Sequence, residues 1–154
     1  MRHLFLSILL TSLMANPAHA LSRVDPSPEE AFHDLDKSEK LYVPVVGSLS
    51  YLGPLPEITA EELELPETTS VQAVFSGKLL SGRSIEDFEL EYVSECWAHW
   101  CGGYLDENRK YIFFVEKRGP DDFLLTSSPC PVGNIWTNTF KTRRILKGCL
   151  AGTC

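Results

Sequence analysis

The chain has 154 residues, with 14 Lys/Arg against 21 Asp/Glu and a net charge of −7. That length holds one ordinary domain. The acidic balance disfavours nucleic acid and anionic lipid as main partners, since both need a net positive surface.

Arg2 and His3 open the chain, and Leu4 to Ala15 is almost continuously apolar. Asn16-Pro17 breaks that run, and Ala18-His19-Ala20 supplies a small-x-small pattern. These are the parts of a secretory signal cleaved after Ala20. The apolar run is shorter than the roughly 20 residues that span a bilayer. No cysteine stands near the cleavage point to carry a lipid, and no later segment is apolar enough to cross. The expectation is a secreted or periplasmic protein without a membrane anchor. The leader holds Arg2 and no acid, so residues 21–154 carry a net charge of −8.

Residues 21–40 read as a leader to the domain proper. Ser27-Pro28-Glu29-Glu30 has a serine cap, a proline at the first helical position and a glutamate at the third, which predicts a short helix over about 28–37. Its apolar stripe of Ala31, Phe32 and Leu35 is thin and docks weakly. From Leu41 to Leu52 the residues are β-branched and aromatic, with Gly47 marking a bulge or a close backbone approach.

Residues 53–70 form a Pro/Glu-rich loop carrying Glu57, Glu61, Glu62, Glu64 and Glu67, with a helical turn begun by Thr59 and boxed by Glu62. A solvated surface is the expectation for that charge run. Strands over 70–80 and 85–94 follow, joined by Ser81-Gly82-Arg83-Ser84 as an antiparallel hairpin. In the second strand Phe88, Leu90, Tyr92 and Ser94 alternate with Glu89, Glu91 and Val93, so one face is buried.

Lys110 to Lys117 is the most apolar strand and should be central. A turn at Arg118-Gly119-Pro120-Asp121-Asp122 leads to a strand from Phe123 to Thr126. A helix over about 137–150 closes the chain, with Trp136, Phe140, Leu146, Cys149 and Leu150 as its inner stripe. Lys141, Arg143, Arg144 and Lys147 sit on its outer side, where positive charge suits a helix C-terminus. About five short strands without βαβ alternation predict a mainly β fold, a closed or nearly closed barrel with a helix at each end.

Cys96, Cys101, Cys130, Cys149 and Cys154 all follow the leader. In an oxidising compartment such a set reads as a disulfide framework, here two bridges and one spare thiol. The spare thiol is either buried or pairs between chains, and the protein is a monomer in the former case.

The segment Trp97-Ala98-His99-Trp100-Cys101-Gly102 resembles the start of a thioredoxin active site. That chemistry needs a resolving thiol three positions after the first cysteine, and Tyr104 stands there. A thiol-dependent enzyme using Cys101 is therefore the weaker alternative. A longer resemblance runs from about 41 to 135. It comprises Val45-Val46-Gly47-Ser48-Leu49, Phe75-Ser76-Gly77-Lys78, Trp100-Cys101-Gly102-Gly103, Tyr111-Ile112-Phe113-Phe114, Leu124-Leu125-Thr126-Ser127-Ser128 and Cys130.

In that order these motifs are similar to the netrin-like family, whose best-known members are the tissue inhibitors of metalloproteinases. The resemblance implies a five-stranded OB-type barrel over 41–154 and a Cys101–Cys130 disulfide. Cys96, Cys149 and Cys154 then share one further bridge, with Cys96–Cys149 preferred to Cys149–Cys154. Those inhibitors chelate zinc through an N-terminal cysteine, whereas Leu21-Ser22-Arg23 would begin this mature chain. That mechanism cannot be carried over, although inhibition by another edge of the barrel stays open.

Cys96, His99 and Cys101, with His33, are too few and too close in sequence for an ordinary zinc site, so no metal and no cofactor is expected. There is no Gly-x-Ser-x-Gly, phosphate loop or metalloprotease helix, and Asp121-Asp122 is a turn signal. No catalytic residue is assigned. The reading is a disulfide-stabilised, non-enzymatic binding module for an extracytoplasmic protein or carbohydrate, with loops 53–70 and 96–104 as candidate contacts. Trp97, His99 and Trp100 are its candidate binding residues, with one of the two tryptophans expected in the core.

Overall fold

A computed structural model describes residues 25–56, 67–97, 100–130 and 133–154. The segment expected to be a signal, residues 57–66 of the candidate 53–70 loop with the turn expected at Thr59, and His99 lie outside the described residues. The described elements are α1 (Pro28–Asp36), β1 (Tyr42–Tyr51), β2 (Thr68–Leu79), β3 (Phe88–Trp97), β4 (Trp100–Cys101), β5 (Tyr111–Lys117), β6 (Phe123–Ser127), β7 (Ile135–Thr137) and α2 (Phe140–Leu150).

Five strands close a barrel in the order β1-β2-β3-β6-β5, and β5 returns to pair with β1. All neighbours are antiparallel except β3 and β6, which run parallel. This is the mainly β, five-stranded OB-type barrel expected from the sequence, with a short helix near each end of the described chain. β2 and β3 form the expected hairpin, in register from Thr68↔Glu95 to Phe75↔Phe88. A Cβ on Gly47 would collide with the Ser76 carbonyl and the Phe75 ring. Gly47 faces Gly77 across the ladder, so the pair allows the close approach at which β1 bends into the barrel.

Two apolar clusters explain why β1 and β5 read as nearly continuous hydrophobic runs. Val45, Phe75, Leu90, Tyr92, Phe113, Val115 and Leu125 fill the barrel interior. Their alternate neighbours Val46, Ile112 and Phe114 face outward and pack under Leu146 of α2 and Phe32 and Leu35 of α1. β1 and β5 are thus buried on both faces, as central strands covered by helices are.

α1 begins on the predicted cap. The Ser27 hydroxyl accepts from the Glu30 amide at 3.2 Å, and the Glu30 carboxylate accepts from the Ser27 amide at 2.8 Å. The bond from the Ser27 amide, with a smaller contribution from the Ser27 hydroxyl, also holds the Glu30 carboxyl below its ordinary pKa.

The C-terminal reading needs correction. α2 starts at Phe140, capped by the Thr139 hydroxyl. The preceding Ile135–Thr137 is a strand paired with β5, so Trp136 is not helical. α2 buries Leu146 and Cys149, whereas Phe140 is 75% exposed and Leu150 is 42% exposed. At about 3.6 residues per turn Phe140 lies opposite Cys149 and well round the helix from Leu146, on the outer side with Arg143, Arg144 and Lys147, so it does not belong to the inner stripe.

β5 and β6 pair only at Glu116↔Leu124 and Lys117↔Phe123. Farther along they separate, and Asn134 sutures the gap. Its carbonyl accepts from the Phe114 amide and its side-chain amide donates to the Thr126 carbonyl, both at 2.8 Å. No described helix is long and apolar enough to cross a membrane.

Candidate functional site: a stapled tryptophan hairpin

β3 runs past the barrel rim and folds back on itself as β4. Cys96 faces Cys101 and Trp97 faces Trp100 across this short ladder. The two cysteines are joined, with their Cα atoms 4.0 Å apart. One step beyond the bridge, Trp97 is 58% exposed and Trp100 is 75% exposed. Neither tryptophan enters the core, contrary to expectation. The two candidate binding residues that are described therefore stand together at the tip; the third, His99, is not among the described residues.

The returning chain is held at its base by buried hydroxyls. Tyr92 Oη donates to the Gly103 carbonyl at 2.9 Å, and the Gly103 amide donates to Ser94 Oγ at 3.1 Å. Ser127 Oγ donates to the Gly102 carbonyl at 2.9 Å, and the Leu105 amide donates to Tyr51 Oη at 2.8 Å. Tyr92, Ser94 and Ser127 are all buried. Such hydroxyls are tolerated in a core because each has a partner.

Burial pushes the Tyr92 hydroxyl far above the ordinary tyrosine pKa, against a smaller opposing effect of Ser127. Burial also raises Tyr51, against the hydrogen bond from Leu105. Tyr104 completes the support by edge contact with Tyr51 and a 3.0 Å hydrogen bond with Thr69.

The glycine pair after Cys101 is what lets the chain lie this close. A Cβ on Gly102 would overlap the Ser127 carbonyl, and Gly103 has φ +72°, in the left-handed region. Sequence reasoning singled out Trp97 and Trp100 but assigned no role to Ser94, Ser127 or Tyr51. The available signal was a serine on the apolar face of an alternating strand, which in a folded core implies a built hydrogen bond.

The disulfides differ from those implied by the netrin-like resemblance. They are Cys96–Cys101 and Cys149–Cys154, and Cys130 is a half-buried free thiol. Both bridges are local, with sequence separations of 5. Cys96 shares the inward face of β3 with Tyr92 and Ser94, while Cys149 is a buried residue of α2, the helix whose Leu146 covers the outside of the barrel. A strand layer separates them, which rules out Cys96–Cys149. Cys101 is consumed by its cross-strand partner, which leaves Cys130 without it. Cys149 instead meets Cys154 at the turn that ends α2, with Cα atoms 4.7 Å apart.

Among the described residues no three His, Cys, Asp or Glu side chains cluster closely enough to hold a metal ion. The chain matches no protein-family model, no curated protein and no solved structure.

Proposed function

We propose that the protein is an exported, non-enzymatic binding module of netrin-like type whose Trp97–Trp100 hairpin receives an extracytoplasmic protein or carbohydrate. One observation carries this reading. Two large aromatic side chains stand exposed side by side on a hairpin that is covalently closed directly beneath them. Exposed tryptophans of this kind bring much contact area at little conformational cost. The disulfide and the hydroxyl anchors below lower that cost further, since an ordered surface loses less entropy on binding.

Export is supported by the leader-like N-terminus and by two disulfides, which persist in oxidising compartments. A binding role is favoured over thiol chemistry because Cys101 is bonded to Cys96 and Tyr104 occupies the resolving position.

The test is affinity capture from the extracytoplasmic fraction, in parallel with a glycan array, using the wild type and Trp97→Ala/Trp100→Ala. A partner held by the wild type and lost by the double variant is expected. Equal retention by both would remove the hairpin from the binding surface. Titration of the native protein with a thiol reagent should leave Cys101 unmodified; a reactive Cys101 would reinstate the enzyme reading.

A further inference from the structure

Beside this hairpin, but independent of it, two depressions meet where the end of α1 overlies the β5–β6 gap. Their volumes are about 160 and 220 Å³, and Leu35, Lys40 and Tyr42 line both. The first limb is apolar, walled by Phe32, Pro44 and Phe114 with Leu41 and Leu150 at its rim. A space of about that volume suits a single hydrocarbon ring. The second limb is polar, walled by Glu95, Glu116, Thr126 and Asn134.

The charges around the cleft do not balance. Asp36, Glu95 and Glu116 face it, against Lys40 alone. Lys40 Nζ is already bonded to one oxygen of Glu116 at 2.9 Å, with side-chain exposures of 57% and 15%. That contact holds Lys40 charged, above its ordinary pKa. Neither the Glu95 carboxylate nor Tyr42 Oη has a hydrogen-bond partner among the described residues, and Glu116 uses only one oxygen.

The polar limb therefore sets two carboxylates against one ammonium and stays net negative, while the Tyr42 and Thr126 hydroxyls can donate or accept. The acids are too dispersed to chelate a metal ion, so the complement is an organic cation, which brings several N–H donors and an apolar body.

We propose that this cleft is a binding site for a small amphipathic amine, with its ammonium group between Glu95 and Glu116 and its hydrocarbon body against Phe32, Leu35 and Phe114. A charge-assisted hydrogen bond is roughly twice as strong as a neutral one, which sets the order of preference among probes. The test uses the purified protein at pH 7 with 4-phenylbutylamine, 4-phenylbutanol and 4-phenylbutyrate, titrated by two-dimensional NMR.

The amine should bind about tenfold more tightly than the alcohol, and the carboxylate should bind least. Its shifts should map to Leu35, Tyr42, Phe114 and Thr126. Glu95→Gln leaves the Lys40–Glu116 pair intact and should weaken the amine alone; Glu116→Gln should do the same while freeing Lys40 to improve the carboxylate. Equal binding of the three probes, no saturable binding of the amine, shifts centred on Trp97 and Trp100, or indifference to both variants would each overturn the assignment.

Discussion

The sharpest difference between the two disulfide arrangements lies in what Cys130 contributes. In the structure it is a free thiol, and the bridge to Cys101 comes from Cys96. The chain-entropy relation gives about 2 kcal/mol for a closed loop of about five residues and about 3.5 kcal/mol for one of about 30. Cys130→Ala should therefore leave stability within about 1 kcal/mol of the wild type, the cost of trimming one half-buried sulfur. Cys96→Ala/Cys101→Ala should lose about 2 kcal/mol.

Urea unfolding followed by circular dichroism resolves these values. With an m-value of about 2 kcal/mol per M, the double variant moves the midpoint by about 1 M. Peptide mapping of unreduced protein should recover the thiol on Cys130 and an internally bridged Cys96–Cys101 peptide. A Cys130→Ala variant that loses 3 kcal/mol or more, with the wild-type free thiol found on Cys96 or Cys154 and Cys130 bridged to Cys101, would refute the hairpin staple and restore the longer loop.

Other outcomes follow from the same packing. Leu146→Ala should cost about 2–5 kcal/mol because Leu146 is fully buried on the inner face of α2, whereas Phe140→Ser should change stability by less than about 0.5 kcal/mol; thermal melts of the pair distinguish the structure from a helix with both residues on its inner face. Gly102→Ala should destabilise by several kcal/mol, since no rotation can remove a Cβ from the Ser127 carbonyl, and Trp fluorescence should report a displaced hairpin.

Tyr42, Tyr51 and Tyr92 all have raised pKa values in the folded chain. The unfolded chain therefore releases these protons first. Their contribution is complete below about pH 10, the ordinary tyrosine value, and is lost as pH climbs above it. Denaturation midpoints should fall above pH 10 and be flat between pH 7 and 9 as far as these tyrosines are concerned. A fall beginning near pH 8 would need another titrating group.

The barrel was legible where alternation and turn chemistry act locally. Leu90, Tyr92 and Ser94 face inward as their spacing requires, Gly47 marks a close approach, and Ser27 with Glu30 starts α1. What escaped depends on partners distant in sequence. Trp136 reads as helical from its neighbours, yet β5 claims it for a strand. Phe140, by contrast, reads as part of the stripe only because it is apolar, although the helical period sets it on the outer side of α2 with Arg144 and Lys147. The cysteine pairing failed for a related reason. Cys96 and Cys101 can meet only if four residues turn the chain back, and the apolar tip Trp97 to Trp100 carries none of the usual turn signals at its centre. The Asn134 suture was invisible too, since it exists only because β5 and β6 diverge.

β3 shows how one strand serves two sites through its period of two. Its inward residues Tyr92 and Ser94 anchor the returning chain, and Cys96 closes the staple. Its outward residues Glu95 and Trp97 stand about 7 Å apart along one face, one in the polar limb of the cleft and the other at the hairpin tip. A slip of one residue would exchange the two sets, burying Glu95 where Ser94 now sits and exposing the hydroxyl anchors. The ladders with β2 and β6 hold β3 in its register, and the Cys96–Cys101 bond then holds β4 in one register against β3. The role of the bond is thus mainly positional: about 2 kcal/mol of loop closure is modest, but the bond sets Trp100 opposite Trp97 at the rim of the barrel.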